Sequence, residues 1–209
     1  MPRPVWLIAL LALLPMPALA DDTPLPELFS VVGVAANDKL NIRTQPSSTA
    51  ELAGRLDPDA KDIEVVASSA DGEWAQINQG EISGWVARRF MQRSAESWKE
   101  NQLPAHLSCY GTEPFWSMRY QPGKIVLAEP GKNDRVLELR SIMGRGFEKD
   151  RLRGVVAADD SERLTAIIQP ALCSDGMSDR QLGLNATLIL DDDEKAPRLL
   201  SGCCSIAPK

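Results

Sequence analysis

All four cysteines of this 209-residue chain lie beyond residue 108, and two of them, Cys203 and Cys204, are adjacent. No other feature constrains the fold as strongly, because the first twenty residues read as an export signal and export places thiols in an oxidising compartment. Residues 1–20 carry Arg3, an apolar run from Val5 to Leu14, a Pro15-Met16-Pro17 break and Ala18-Leu19-Ala20 before Asp21. This is the pattern of a secretory signal peptide cut after Ala20. Its apolar run is shorter than the roughly 20 residues a membrane-spanning helix needs. No cysteine stands near the cleavage point to be acylated, so the expected product is a free periplasmic or secreted protein without stable membrane insertion. Its second half is expected to be a cross-linked domain, and its first half to fold without disulfides.

Four thiols allow three pairings. A bond between the neighbours Cys203 and Cys204 would need a strained ring, since consecutive Cα atoms are about 3.8 Å apart and ordinary disulfides want about 4.4–6.8 Å. Cys109 and Cys173 are therefore expected to pair separately with Cys203 and Cys204, in either arrangement. Neighbouring side chains on a strand leave on opposite faces. One bond should then lie inside the domain while the other pins an outer loop. A loop of roughly 95 residues closed by Cys109 is worth about 4–5 kcal/mol in the chain-entropy account. That is a large share of a typical stability of about 5–15 kcal/mol. The alternative is copper or zinc handling: thiolates suit both metals, and His106 lies three residues before Cys109. Against it, the chain has no C-x-x-C pair and one histidine in all.

The net charge is −6, and −7 once Arg3, the only charged residue of the signal, is removed. An acidic chain without a basic run argues against nucleic-acid or anionic-membrane partners. Residues 21–28 are acidic with two prolines and read as a flexible leader. From Phe29 to Arg93, short β-type runs (Phe29 to Val34, Leu40 to Arg43, Ile63 to Ala67, Trp74 to Ile77, Gly84 to Ala87) alternate with turn-formers such as Asp57-Pro58-Asp59 and Asp71-Gly72. Short strands with a turn signal every eight to twelve residues describe a small barrel or sandwich.

Within this stretch, Leu40-Asn41-Ile42-Arg43, Pro46-Ser47, Trp74-Ala75-Gln76-Ile77 and Gly84-Trp85-Val86 follow one another in order. This resembles the bacterial SH3-like (SH3b) family, whose pattern is an L-N-[IV]-R strand, a P-S loop, a W-x-x-[IV] strand and a closing G-W-V. The departure is Gln79-Gly80-Glu81-Ile82-Ser83, where many members have a shorter, more glycine-rich hairpin. The residues support the pattern independently. Leu40 and Ile42 alternate inward while Asn41 and Arg43 face out. Gly84 permits close backbone approach. Trp74 and Ile77 break strict alternation, which predicts a bulge or strand end between them. The resemblance implies recognition of cell-wall (peptidoglycan) peptides or partner proteins, with Arg43, Trp74 and Trp85 as the candidate ligand-binding residues. Packing of both tryptophans into core and rim is the competing reading.

Residues 94–104 are polar apart from Trp98 and read as a linker ended by Pro104. Beyond it, residues 105–206 again show β-type runs, the clearest being Leu184, Ala186, Leu188 and Leu190 on one face. Residues 207–209 form a tail. Three motifs punctuate this half: Cys109-Tyr110-Gly111-Thr112-Glu113-Pro114-Phe115-Trp116, Cys173-Ser174-Asp175-Gly176-Met177-Ser178-Asp179 and Gly202-Cys203-Cys204. They resemble an uncharacterised family of bacterial envelope proteins that has C-x-G-x-E-P-F-W, C-x-D-G-M-S-D and G-C-C and brings no activity with it. Glu113, Asp175 and Asp179 are the acids inside these motifs. Either they form an acid/base or cation pair, or they cap turns. Phe115-Trp116 reads as core. The acidic run 191–194 reads as a solvated hairpin tip, lacking the spacing and glycine of an EF-hand.

With one histidine and no phosphate loop, no catalytic template is met. The chain is therefore expected to be all-β: a small SH3-like barrel at 29–93, then a disulfide-linked antiparallel barrel or sheet at 105–206. The expected function is non-catalytic binding in the envelope, without a cofactor. Inhibition of a lysozyme-type hydrolase is a further alternative.

Overall fold

The computed structural model describes residues 24–192 and 195–208, and it is all-β, with two separate antiparallel sheets. The expected export signal at 1–20, the start of the expected leader, and Asp193 and Glu194 of the acidic run lie outside the described residues. The first sheet contains β1 (Glu27–Val31), β2 (Leu40–Arg43), β3 (Leu52–Leu56), β4 (Ile63–Ser68), β5 (Trp74–Gln79), β6 (Ile82–Ala87) and β7 (Met91–Arg93), with a single 3-10 turn, Arg88–Phe90, before β7. Its order is β3-β2-β6-β5-β4-β1-β7. The sheet encloses a core of its own, including Phe29, Ile42, Val65, Ile77 and Val86.

The second sheet is a closed barrel of eight strands: β8 (Ser108–Thr112), β9 (Phe115–Gln121), β10 (Lys124–Ala128), β11 (Arg135–Met143), β12 (Arg153–Ala158), β13 (Glu162–Cys173), β14 (Leu182–Asp192) and β15 (Lys195–Ser205). Alternation fixes its lining. Leu184, Ala186, Leu188 and Leu190 are buried along one face of β14, while Ile189 between them is exposed, as the two-residue period of a strand requires. Each strand pairs with its successor, so the barrel is completed where the last strand meets the first. That seam is short: Cys203, Cys204 and Ser205 of β15 stand opposite Tyr110, Cys109 and Ser108 of β8.

The disulfides are Cys109–Cys204 and Cys173–Cys203. Cys109 and Cys204 face each other across the closing seam and are fully buried. Cys203, on the opposite face of β15, reaches Cys173 at the end of β13. One bond thus lies within the barrel, and the other holds the loop that follows β13.

Three expectations need correction. Residues 24–28 are not a free leader. Pro26, Glu27 and Leu28 are buried, and Leu28 belongs to the barrel's core rather than to that of its own sheet. The linker 94–104 is not merely polar spacer either. Trp98 and Leu103 are buried in that same core, and the Trp98 indole donates to the Pro26 carbonyl (3.0 Å). Nor is there a bulge between Trp74 and Ile77, because β5 pairs with β6 in unbroken register from Trp74 to Gln79. Trp74 simply points outward while Ala75 and Ile77 point in, and the irregularity lies on β4, between Val65 and Ala67.

Polar contacts join the two sheets. The Glu27 carboxylate is fully buried and pairs with Arg151 (3.0 Å). Asn78, on the hairpin that departs from the SH3b pattern, exchanges two hydrogen bonds with the Gln181 backbone, donating to its carbonyl (2.8 Å) and accepting from its amide (3.1 Å). Glu64 accepts from the Ser205 hydroxyl and the Ile206 amide. Burial pushes the Glu64 carboxyl up to about 7, against the opposing effect of these bonds.

Candidate binding surfaces

Strand register brings Arg43, Trp74 and Trp85 onto one face of the first sheet. Arg43 stands opposite Trp85 across β2 and β6, and Trp85 stands opposite Gln76 across β6 and β5. Directly opposed residues share a face, and Trp74 lies two positions before Gln76, so it shares that face too. All three side chains are partly buried, while Ile42, Ala75, Ile77 and Val86 fill the other side. Gly84 makes the approach of β2 and β6 possible. A Cβ there would collide with the Ile42 side chain and come within 3.0 Å of the Arg43 carbonyl.

Local hydrogen bonds fix the orientation of these residues. Arg43 Nη1 donates to the Ala50 carbonyl (2.6 Å), tying β2 to the Pro46-Ser47 loop. Its guanidinium makes no other hydrogen bond or ion pair among the described residues, which leaves N–H groups for a ligand. Trp74 enters β5 from a turn in which its amide donates to Ser69 Oγ (3.0 Å) and the Ser69 amide donates to its carbonyl (2.9 Å). Asp71 holds this turn by accepting from Ser69 Oγ (2.5 Å) and the Glu73 amide (3.0 Å), and those bonds lower its pKa.

The three second-half motifs converge as well. The first two line an open groove of about 490 Å³ on the barrel, bordered by Tyr110, Phe115, Trp116, Pro130, Asp175 and Met177, and Gly202 of the third packs against the Trp116 indole. The motif glycines have a steric explanation. A Cβ on Gly111 or Gly202 would run into the Trp116 indole and the backbone of the neighbouring strand. The indole therefore lies flat against β8 and β15, donating to the Ser201 carbonyl (3.3 Å). Trp116 is core, as expected, but Phe115 is 53% exposed and Met177 70% exposed. Phe115 follows the cis Glu113–Pro114 bond at the start of β9. Sequence reasoning missed this pairing because Phe115 and Met177 meet only through the fold.

Of the motif acids, Asp175 caps a local turn. Asp175 accepts from the Met177 and Ser178 amides (2.9 Å each) and the Ser178 hydroxyl. Burial pushes its carboxyl up, but these bonds outweigh burial and hold it below the usual range. Glu113 and Asp179 are exposed. The four sulfurs that copper or zinc handling requires are bonded to one another, with no free cysteine among the described residues.

The bacterial SH3 domain model matches residues 38–92, which run from just before β2 into β7. Strands β2 to β6 of the first sheet are thus similar to a bacterial SH3 domain. The match covers about a quarter of the chain and none of the eight-stranded barrel. No curated protein and no solved structure gives a match.

Proposed function

We propose that this is an exported, non-catalytic binding protein whose SH3 domain recognises cell-wall peptide or an envelope partner protein through Arg43, Trp74 and Trp85. The observation that carries this reading is the register that sets a guanidinium with free N–H groups beside two partly exposed indoles on the outer face of a domain. Bacterial SH3 domains often bind peptidoglycan or proteins. A guanidinium suits a peptide carboxylate, and indole faces suit its apolar side chains. Two disulfides support an oxidising compartment, and no helix of the described residues is long and apolar enough to cross a membrane.

The test uses the mature chain in a sedimentation assay with purified peptidoglycan, then calorimetry with soluble wall peptides and pull-down from envelope extract. The Arg43→Ala/Trp85→Ala variant is expected to lose at least tenfold in affinity for whichever ligand is captured. Wild-type affinity in that variant would contradict the assignment.

A further inference from the structure

One cavity of the described residues belongs to neither surface described above. It is a cleft of about 800 Å³ between the linker and the loop joining β11 to β12, with Pro24 at its edge. Its volume falls in the range of small-molecule sites, about 300–1,000 Å³. Its charge runs against that of the chain: six cations (Arg93, Lys99, Arg145, Lys149, Arg151, Arg153) and four acids (Glu96, Glu100, Glu148, Asp150) line it, in a protein of net charge −6.

Ion pairs occupy two of these acids. Asp150 is taken by Arg145 (2.6 Å) and Glu96 by Arg93 (3.6 Å). Two cations are built into the wall without full compensation. Arg153 is buried, and every hydrogen bond it makes goes to a backbone carbonyl: Nε to Gln102, Nη1 to Asp150 and Leu152, and Nη2 to Lys99. No carboxylate touches it, and desolvation lowers its pKa. Arg151 is only 4% exposed; it pairs with Glu27, yet its Nε is buried without a partner. Both guanidinium groups lie over the Trp98 ring, Arg151 at 5.5 Å and Arg153 at 5.3 Å from its centroid. At the mouth, Lys99 and Lys149 are exposed and make no ion pair among the described residues. Phe147, 69% exposed, lines the same cleft with Arg145 over its ring.

We infer that this cleft is a second ligand site, for a small organic polyanion carrying two or more carboxylate or phosphate groups. Fixed, poorly hydrated guanidinium groups at the wall supply a preorganised positive potential. The two lysines at the mouth add mobile positive charges, and Phe147 offers an apolar surface to the ligand's body. The site is independent of the SH3 face and stands whether or not that face binds wall peptide.

Calorimetry of the full mature chain with citrate and with pyrophosphate, at constant ionic strength, tests the inference and separates the two anion chemistries. The NMR indole N–H signal of Trp98 is followed in parallel. One-to-one binding of at least one of them, with the Trp98 signal shifting along the same isotherm, is expected. Lys99→Glu/Lys149→Glu, which alters only exposed side chains, should weaken that binding at least tenfold with an unchanged circular dichroism spectrum. Arg43→Ala/Trp85→Ala should leave it intact. The inference fails if neither anion binds, if chloride at equal ionic strength moves the Trp98 signal equally, or if the lysine variant binds like wild type.

Discussion

The two sheets hold themselves together by different means. The first has strands of three to six residues and no covalent cross-link. It depends on a small core and on one close approach at Gly84. The second has strands of up to twelve residues, and its other ladders run from four to ten residue pairs, but its closing seam between β15 and β8 has only three. The Cys109–Cys204 bond sits on that seam, and Cys173–Cys203 fastens a loop beside it. The lesson is that the disulfides are placed where hydrogen bonding is thinnest. Here the covalent link does what ladder length does elsewhere in the barrel.

The comparison can be broken most severely at the seam. Cys109→Ser/Cys204→Ser opens a loop of sequence separation 95 and should destabilise the barrel by about 4–5 kcal/mol. Cys173→Ser/Cys203→Ser opens one of separation 30 and should cost about 3–4 kcal/mol. Denaturant melts read through near-ultraviolet circular dichroism rank the two. Equal stability of both variants and wild type would show that the seam needs no staple.

Next in size is the contact between the sheets. Arg151→Met leaves the Glu27 carboxylate buried without its nearest cation and should cost about 3–5 kcal/mol. Glu27→Gln/Arg151→Met removes the stranded charge and should recover part of that loss. Hydrogen exchange at residues 24–31 and 94–104 would localise the effect. A double variant no more stable than the single would argue that packing, not charge, sets the cost.

The smallest expected effect is pH-dependent. The folded chain binds the Glu64 proton up to about pH 7, whereas a carboxyl of ordinary pKa 4.5 releases it earlier. The folded state therefore holds more protons between those values, and stability falls as pH rises. The contribution of Glu64 is complete below about pH 4.5 and is lost as pH passes 7, amounting to about 3 kcal/mol. Comparing melts of wild type and Glu64→Gln from pH 4.5 to 8 isolates it. A variant whose stability declines just as steeply would exclude Glu64 as the source.

Much of this organisation was legible in the sequence, and the failures have physical causes. The β2, β4 and β6 runs and the lining of β14 could be read because apolar alternation is strong there. β3, Leu-Ala-Gly-Arg-Leu, and the three-residue β7 escaped because each offers one buried side chain. The cysteines gave the pairing partners of the adjacent pair but not which bond faced inward, since that depends on the register of β15 against β8. Residues 24–28 and the linker read as polar and unstructured because their proline, acidic and serine content hides Leu28, Trp98 and Leu103. Their burial is a tertiary effect, needing the core of the barrel that follows them in the chain. The cleft was invisible for the same reason: its cations come from residues 93–99 and 145–153, which only the fold brings together.

The central claim is that ligand recognition belongs to the Arg43, Trp74 and Trp85 face. It is tested most directly by titrating the mature chain with soluble wall peptide while following the indole N–H signals of Trp74, Trp85, Trp98 and Trp116 in one NMR spectrum. The account predicts that Trp74 and Trp85 shift together, with saturation, while Trp116 of the barrel stays in place. Movement of Trp116 with Trp74 and Trp85 unchanged would contradict it and transfer recognition to the second sheet.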